Sequence, residues 1–309
     1  MTDRVTMQDV ADASGVSRAT VSFVLNDVGN QRISAETRER VRAAAERLGY
    51  RTHGIARALR EGTSRIVVLY MDAGAEGHYS RSFVDGLDDE LARHGHVLLV
   101  RHRGANEDER RRVAEAVVPR AVVDFAGSYA RPGHELDDAG AGWQDGLAAH
   151  AAAQVGYLME RGHSHIAMAL PPRQPPVVAA RLAFSREVAI RLDIAPIEAL
   201  VVPTPRDEAA AALRVLLDQH PEVTAVAGYS DDVALRVLAA ADDLGLAVPD
   251  RLAVMGYDAT DYSGLVSPAL TTLRIDAEAH GRRVARRLLG LDEAGLVLEP
   301  ARVIARASA

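Results

Sequence analysis

The stretch Val5-Thr6-Met7-Gln8-Asp9-Val10-Ala11-Asp12-Ala13-Ser14-Gly15-Val16-Ser17-Arg18-Ala19-Thr20-Val21-Ser22-Phe23-Val24-Leu25 decides the fold of the chain's first part. Thr6, with Asp9 three residues on, is a capping-box start for a helix. Met7, Val10 and Ala11 fall on one face of that helix, and Ser14-Gly15 stops it. Ser17 is a preferred N-cap for a second helix, whose apolar face is Val21, Val24 and Leu25. A third helix starts at Ser34 with Glu36 in its first turn, carries Val41, Ala44, Ala45 and Leu48, and ends at Gly49. Helix, short glycine turn, helix is the helix-turn-helix arrangement, whose second helix points its N-terminal side chains into a DNA major groove. Its polar face, Ser17, Arg18, Thr20 and Ser22, offers hydroxyls to phosphate oxygens and a guanidinium to guanine edges. A plain helical hairpin with a solvated polar face would show the same spacing.

A length of 309 residues predicts two to three domains. Apolar residues at 48% and charged residues at 26% fit a folded, soluble chain and exclude a disordered or collagen-like one. No apolar run approaches the ~20 residues of a membrane helix. The start Met1-Thr2-Asp3-Arg4-Val5 holds no apolar signal region, so a cytoplasmic location is expected. The absence of cysteine excludes disulfides, thiolate zinc sites and cysteine nucleophiles. There is no lysine, so all 36 basic residues are arginine. The net charge of −7 is uneven: residues 1–65 hold eleven Arg against eight acids, the remainder 25 against 35. A mildly basic head on an acidic body suggests an anionic partner for the head alone.

Val5 to Ala11, Ala13-Ser14-Gly15-Val16-Ser17, Thr20-Val21-Ser22, Leu25-Asn26, Ile33-Ser34, Thr37-Arg38, Val41, Ala44-Ala45 and Leu48-Gly49-Tyr50 resemble the start of a lactose-repressor (LacI/GalR) family regulator. The resemblance places base-reading positions on Arg18, Ala19 and Phe23, and phosphate contacts on Thr6, Ser17, Thr20, Ser22 and Asn26. Phe23 departs from the family's usual Arg; an aromatic ring touches a thymine methyl but cannot bond guanine. Ala56-Arg57-Ala58-Leu59 matches the family's hinge helix, which forms when two copies pair on DNA. Arg57 and Leu59 are thereby implied in DNA binding, Leu59 as the minor-groove wedge that kinks the duplex. So short a helix is marginal alone, which makes coupling to DNA sensible. An ordinary linker with one exposed Leu is the alternative. Thr52-His53 replaces the family's Pro-Asn, and Gly54 loosens the hinge entry.

From Ile66 onward, apolar runs alternate with amphipathic stretches. Strands are expected at 66–71, 97–101, 121–126, 165–170, 197–202, 223–228 and 252–257, and helices at 81–94, 107–117, 146–161, 178–192, 207–219, 231–244 and 277–289. This alternation predicts an α/β body of parallel sheets covered by helices, in two lobes with a cleft at the strand C-terminal ends. Gly162-His163-Ser164-His165-Ile166-Ala167, Ser230-Asp231-Asp232-Val233-Ala234, 245–250, Val254-Met255-Gly256-Tyr257-Asp258, 268–273 and Ile304-Ala305-Arg306 continue the resemblance. It implies a two-lobed, periplasmic-binding-protein-like body. The expected division is a helix-turn-helix domain at 1–50, a hinge helix and linker at 51–63, and an effector-binding and dimerisation domain at 64–309. Lobe 1 would span about 64–145 and 276–289, and lobe 2 about 146–275 and 290–309.

The resemblance implies effector contacts at Asp72, Tyr79, Asp145, Arg181, Ser230, Asp231 and Asp258. Carboxylates, a guanidinium and a hydroxyl around one cleft suit a sugar or related polar metabolite. Each also has a structural reading: Asp258 capping a turn, Arg181 pairing a surface acid, Asp231 serving as an N-cap carboxylate. Gly77-His78-Tyr79 stands where the family has Asn-Pro-aromatic, Leu182-Ala183-Phe184-Ser185 interrupts the pattern after Arg181, and the segment 121–145 is short.

Nothing points to catalysis. His163 and His165 alternate faces entering a strand, and no HExxH, phosphate loop or G-x-S-x-G elbow occurs. No metal or cofactor is called for. Arg110-Arg111-Arg112 reads as a solvated helix face, and 171–176 as a stiff, extended loop at the cleft mouth. The resulting expectation is a non-enzymatic, homodimeric repressor that binds a palindromic double-stranded operator, takes a small-molecule effector in its cleft and does not engage membranes. The rivals are a regulator whose divergent cleft answers to a partner protein or to nothing, and a solute-binding protein.

Overall fold

The computed structural model describes residues 5–25, 33–50, 62–71, 77–102, 106–125 and 146–309. Contacts divide the chain into two compact units, Met1–Arg65 and Ile66–Ala309.

The head contains α1 (Met7–Ser14), α2 (Arg18–Leu25) and α3 (Ala35–Leu48). The Thr6 hydroxyl accepts from the Asp9 N–H at 3.3 Å, and the Asp9 carboxylate accepts from the Thr6 N–H at 2.7 Å, closing the capping box. Gly15 ends α1 at φ +66°, a left-handed conformation glycine adopts without a Cβ penalty. Ser34 caps α3 through the Thr37 N–H. Val10, Ala11, Val21, Val24, Val41, Ala44 and Ala45 form the buried centre, drawn from all three helices.

The body begins with β1 (Ile66–Met71), α4 (His78–Arg93), β2 (Val97–His102), α5 (Glu107–Val117) and β3 (Ala121–Asp124). These strands make a parallel sheet in the order β2-β1-β3. The second set is α6 (Leu147–Glu160), β4 (Ile166–Leu170), α7 (Pro176–Arg191), β5 (Glu198–Val201), α8 (Arg206–Gln219), β6 (Ala225–Gly228), α9 (Asp231–Asp243) and β7 (Ala253–Met255). Its sheet is parallel in the order β5-β4-β6-β7. Ile166, Met168 and Leu170 pack into one apolar cluster and Ala167 and Ala169 into another, so β4 is buried on both faces. Val67, Leu69 and Met71 of β1 pack on Phe83, Leu87 and Leu91 of α4 and on Ala285 of α10 (Ala277–Leu289). The helices α4 and α10 cross at backbone distance. A Cβ on Gly281 would stand 2.1 Å from the Phe83 carbonyl oxygen, and one on Gly86 2.1 Å from that of Glu278.

Several expectations need correction. The strand expected at 252–257 ends at Met255, because the Gly256 and Asp258 N–H groups turn to the Thr271 and Leu273 carbonyls and the Tyr257 N–H to the Asp231 carboxylate. The strand expected to reach 126 stops at Asp124. The helix expected at 81 starts at His78, where the Ser80 hydroxyl accepts from the Gly77 N–H at 2.9 Å and no side chain at the cap marks the start. The loop expected through 176 ends earlier, since Pro176 opens α7 with a φ already suited to a helix. Two short strands, β8 (Thr272–Arg274) and β9 (Arg302–Ile304), pair antiparallel where no strand was expected. Arg110 is not on a solvated face: its guanidinium lies 4.6 Å from the Tyr70 ring and bonds Asp124 at 2.7 Å.

Candidate functional sites in the head and the body

In the head, Arg18 and Ala19 open α2 and are exposed. Ser17 accepts from the Thr20 N–H at 3.1 Å, and its hydroxyl lies 2.9 Å from the Thr20 hydroxyl. These two side chains therefore shape the helix start from which Arg18 projects. Ser22 and Phe23 are half-buried. Exposed Thr6 sits at the other helix start, where its hydroxyl donates to Asp9 at 2.7 Å. Arg40 of α3 donates to the Ser14 carbonyl at 2.9 Å and fixes the end of α1, a role the local sequence pattern does not announce. Asn26, Arg57 and Leu59 lie outside the described residues, as do Asp72 and Asp145.

The body site is built around the turn that follows β7. Asp258 and Ala259 have φ of +107° and +51°, strained values for residues with a side chain. Asp231, fully buried at the start of α9, holds that turn. Its carboxylate accepts from the Tyr257 N–H (2.8 Å), the Thr260 N–H (2.8 Å), the Thr260 hydroxyl (2.7 Å) and the Thr272 hydroxyl (2.5 Å). Four protein donors on two oxygens make Asp231 a brace for Asp258. Ser230 caps α9 through the Val233 N–H.

Arg181 is buried, its guanidinium 3.3 Å from the centre of the Tyr257 ring and 4.6 Å from that of Tyr229. It also donates to the Tyr229 carbonyl, so it is held inside the lobe and not paired with a surface acid. Burial pushes the Asp258 carboxyl well above the usual carboxylate range. Arg181 opposes that shift, and Asp231 and Asp232 reinforce it.

Two histidines far apart in sequence meet beside this turn. His150 of α6 has Nδ1 at 2.9 Å from the Tyr257 hydroxyl, and His280 of α10 has Nδ1 at 3.0 Å from the Tyr79 hydroxyl. The two imidazoles stack, with centres 6.0 Å apart and planes 18° apart. Burial first, then His280 and Arg181, drive the His150 pKa down to about 3, so it is neutral. The line Tyr79, His280, His150, Tyr257 thus joins the α4–α10 layer to the end of β7. Of its members, only Tyr79 was among the expected contacts. No short-range signal marks the two histidines, which lie on helix faces that read simply as core.

A cavity of about 470 Å³ opens beside Asp258, lined among others by His78, Ser82, Asp261, Arg274, Asp276 and Arg302. Among the described residues, no three His, Cys, Asp or Glu side chains are placed to hold a metal ion, and no helix is long and apolar enough to cross a membrane.

Comparison with known proteins agrees with this layout. Residues 6–53 match the bacterial regulatory proteins of the lacI family, and residues 155–309 match a periplasmic binding protein-like domain. The HTH-type transcriptional repressor PurR of Salmonella newport is 27% identical, over 92% of this chain and 89% of its own. PurR of Vibrio atlanticus is 24% identical, over 92% and 91%. Among solved structures, a lac repressor dimer bound to operator and the anti-inducer ONPF superposes with a TM-score of 0.77 at 24% identity, covering 99% of each chain. With a helix-turn-helix head and a periplasmic binding protein-like body in one polypeptide, the chain belongs to the lacI family of bacterial regulatory proteins.

Proposed function

We propose that this protein is a cytoplasmic transcriptional repressor that binds a palindromic operator as a homodimer and releases or tightens its grip when a small polar effector enters the body cleft. The observation that carries this reading is the head. Arg18 and Ala19 are exposed at the start of a helix fixed by Ser17 and Thr20, the position from which a recognition helix reads base edges. Within it, Arg18, Ala19 and Phe23 contact bases, Thr6, Ser17, Thr20, Ser22 and Asn26 contact phosphates, and Arg57 and Leu59 belong to the hinge at 51–63. In the body, Asp258 is the primary effector-facing group, Arg181 acts on it electrostatically from its place on the Tyr229 and Tyr257 rings, Tyr79 and Ser230 flank it, Asp231 positions it, and Asp72 and Asp145 complete the set. The effector must bind the two lobe arrangements with different affinity, since otherwise nothing shifts.

Operator selection from a random duplex pool, with rebinding of the selected sites across a salt series, tests the proposal. A palindromic consensus with a central pyrimidine–purine step is expected. Sequence-blind binding that disappears with salt would overturn it.

A further inference from the structure

Asp258 is only 9% exposed, its residue lines the cavity, and its carboxyl accepts no hydrogen bond from the described residues. Its Oδ2 faces Gly77 at the start of α4, 3.7 Å from where a Cβ there would stand. A buried carboxyl without a donor is costly unless something supplies one. The neighbouring charge narrows what that can be. Asp261 and Asp276 line the same cavity, and Glu278 and Glu299 are already paired with Arg282 and Arg302. Among the described lining residues, Arg274 is the remaining arginine and is exposed, and His78 at the start of α4 is a further titratable group on the same wall. Arg181 is held on its two tyrosine rings and does not line the cavity. Asp231 and Asp232 add negative charge behind Asp258. An anionic ligand would be repelled here. A neutral hydroxyl would supply a donor and leave the crowded negative charge uncompensated, whereas a cation supplies both donor and charge.

Resting on the reading of this cleft as an effector site, we propose that the effector carries a protonated amine and that Asp258 is its counter-ion. Burial raises the Asp258 carboxyl and a cation beside it lowers it again, so amine binding releases a proton wherever the free protein holds Asp258 protonated, and affinity rises with pH there.

Calorimetry on the full-length protein with three matched pairs tests this: D-glucosamine against D-glucose, 1-amino-1-deoxy-D-glucitol against D-glucitol, and putrescine against 1,4-butanediol. At least one amine should bind about tenfold tighter than its neutral counterpart at pH 8, with the gap narrowing as the pH is lowered. Asp258→Asn should abolish the preference, and Asn tolerates the positive φ, so the turn survives. Asp261→Asn should weaken it about two- to threefold, through loss of a more distant charge. A neutral member that binds as tightly and alters operator affinity overturns the amine while leaving the cleft reading standing. A preference that survives Asp258→Asn overturns the counter-ion. No binding by any of the six compounds overturns the amine and the cleft reading together, and operator selection still judges the head.

Discussion

Replacing Asp231 by Asn separates a positioning brace from a ligand contact. The four bonds on its carboxylate span 2.5–2.8 Å and come from two backbone N–H groups and two threonine hydroxyls. An amide keeps one oxygen. Its NH2 must then face either the Tyr257 N–H and the Thr272 hydroxyl or the Thr260 N–H and hydroxyl. A hydroxyl rotates to accept, but a backbone N–H cannot. One buried N–H is therefore left without an acceptor, at about 1–3 kcal/mol, and the bonds that remain lose their ionic character at a further ~1 kcal/mol. The expected destabilisation is about 3 kcal/mol. For a unit the size of residues 66–309, that lowers Tm by about 6–12 °C. Calorimetric melting of the full chain should show the loss in the body transition, with the head transition unmoved. Thr272→Val, which removes one of the four bonds, should show about a third of it. A body Tm within about 2 °C of the parent would refute the brace, and with it the account of why Asp258 is held at a strained φ.

Three further outcomes are expected. His150 titrates near 3 in the folded body and near 6.5 when unfolded, so its contribution to stability is complete above pH 6.5 and is lost as pH falls towards 3. Urea titrations should show a loss of about 2 kcal/mol between pH 6.5 and 5, which His150→Gln flattens. Gly281→Ala places a methyl 2.1 Å from the Phe83 carbonyl oxygen and should cost about 3 kcal/mol, read as a lower urea midpoint for the body. Arg18→Ala should relax base preference at one position of each half-site, read by binding to single-base operator variants; an equal loss on every sequence would mark a phosphate contact instead.

The head was legible in its residues because its determinants are local. Thr6 with Asp9, Gly15, Ser17 and Ser34 each act within four residues, and the structure uses Thr6 and Ser34 as caps and Gly15 as the left-handed stop. The body's larger elements were legible for a related reason: β1, α5 and α10 announce themselves as apolar runs or periodic faces, and their bounds agree with the residues quoted from the sequence alone. The short pairs β8 and β9 were not legible. Three residues carry no periodicity, and each strand exists only because the other lies beside it.

The site divides in the same way. The family resemblance implied that Arg181, Ser230, Asp231 and Asp258 gather at one cleft, and Ser230, Asp231 and Asp258 stand at ends of elements that the apolar runs already outlined. What each side chain does there follows from packing between distant elements. Asp231 became a brace because its four donors sit 26 to 41 residues away, beyond any local pattern. Arg181 turned inward because two tyrosines from other elements stack on it. His150 of α6 and His280 of α10, 130 positions apart, face each other only in the assembled body. Local chemistry sets where elements start and stop. The partners of a buried polar group are set by which distant elements pack against it, and that is a property of the assembled fold.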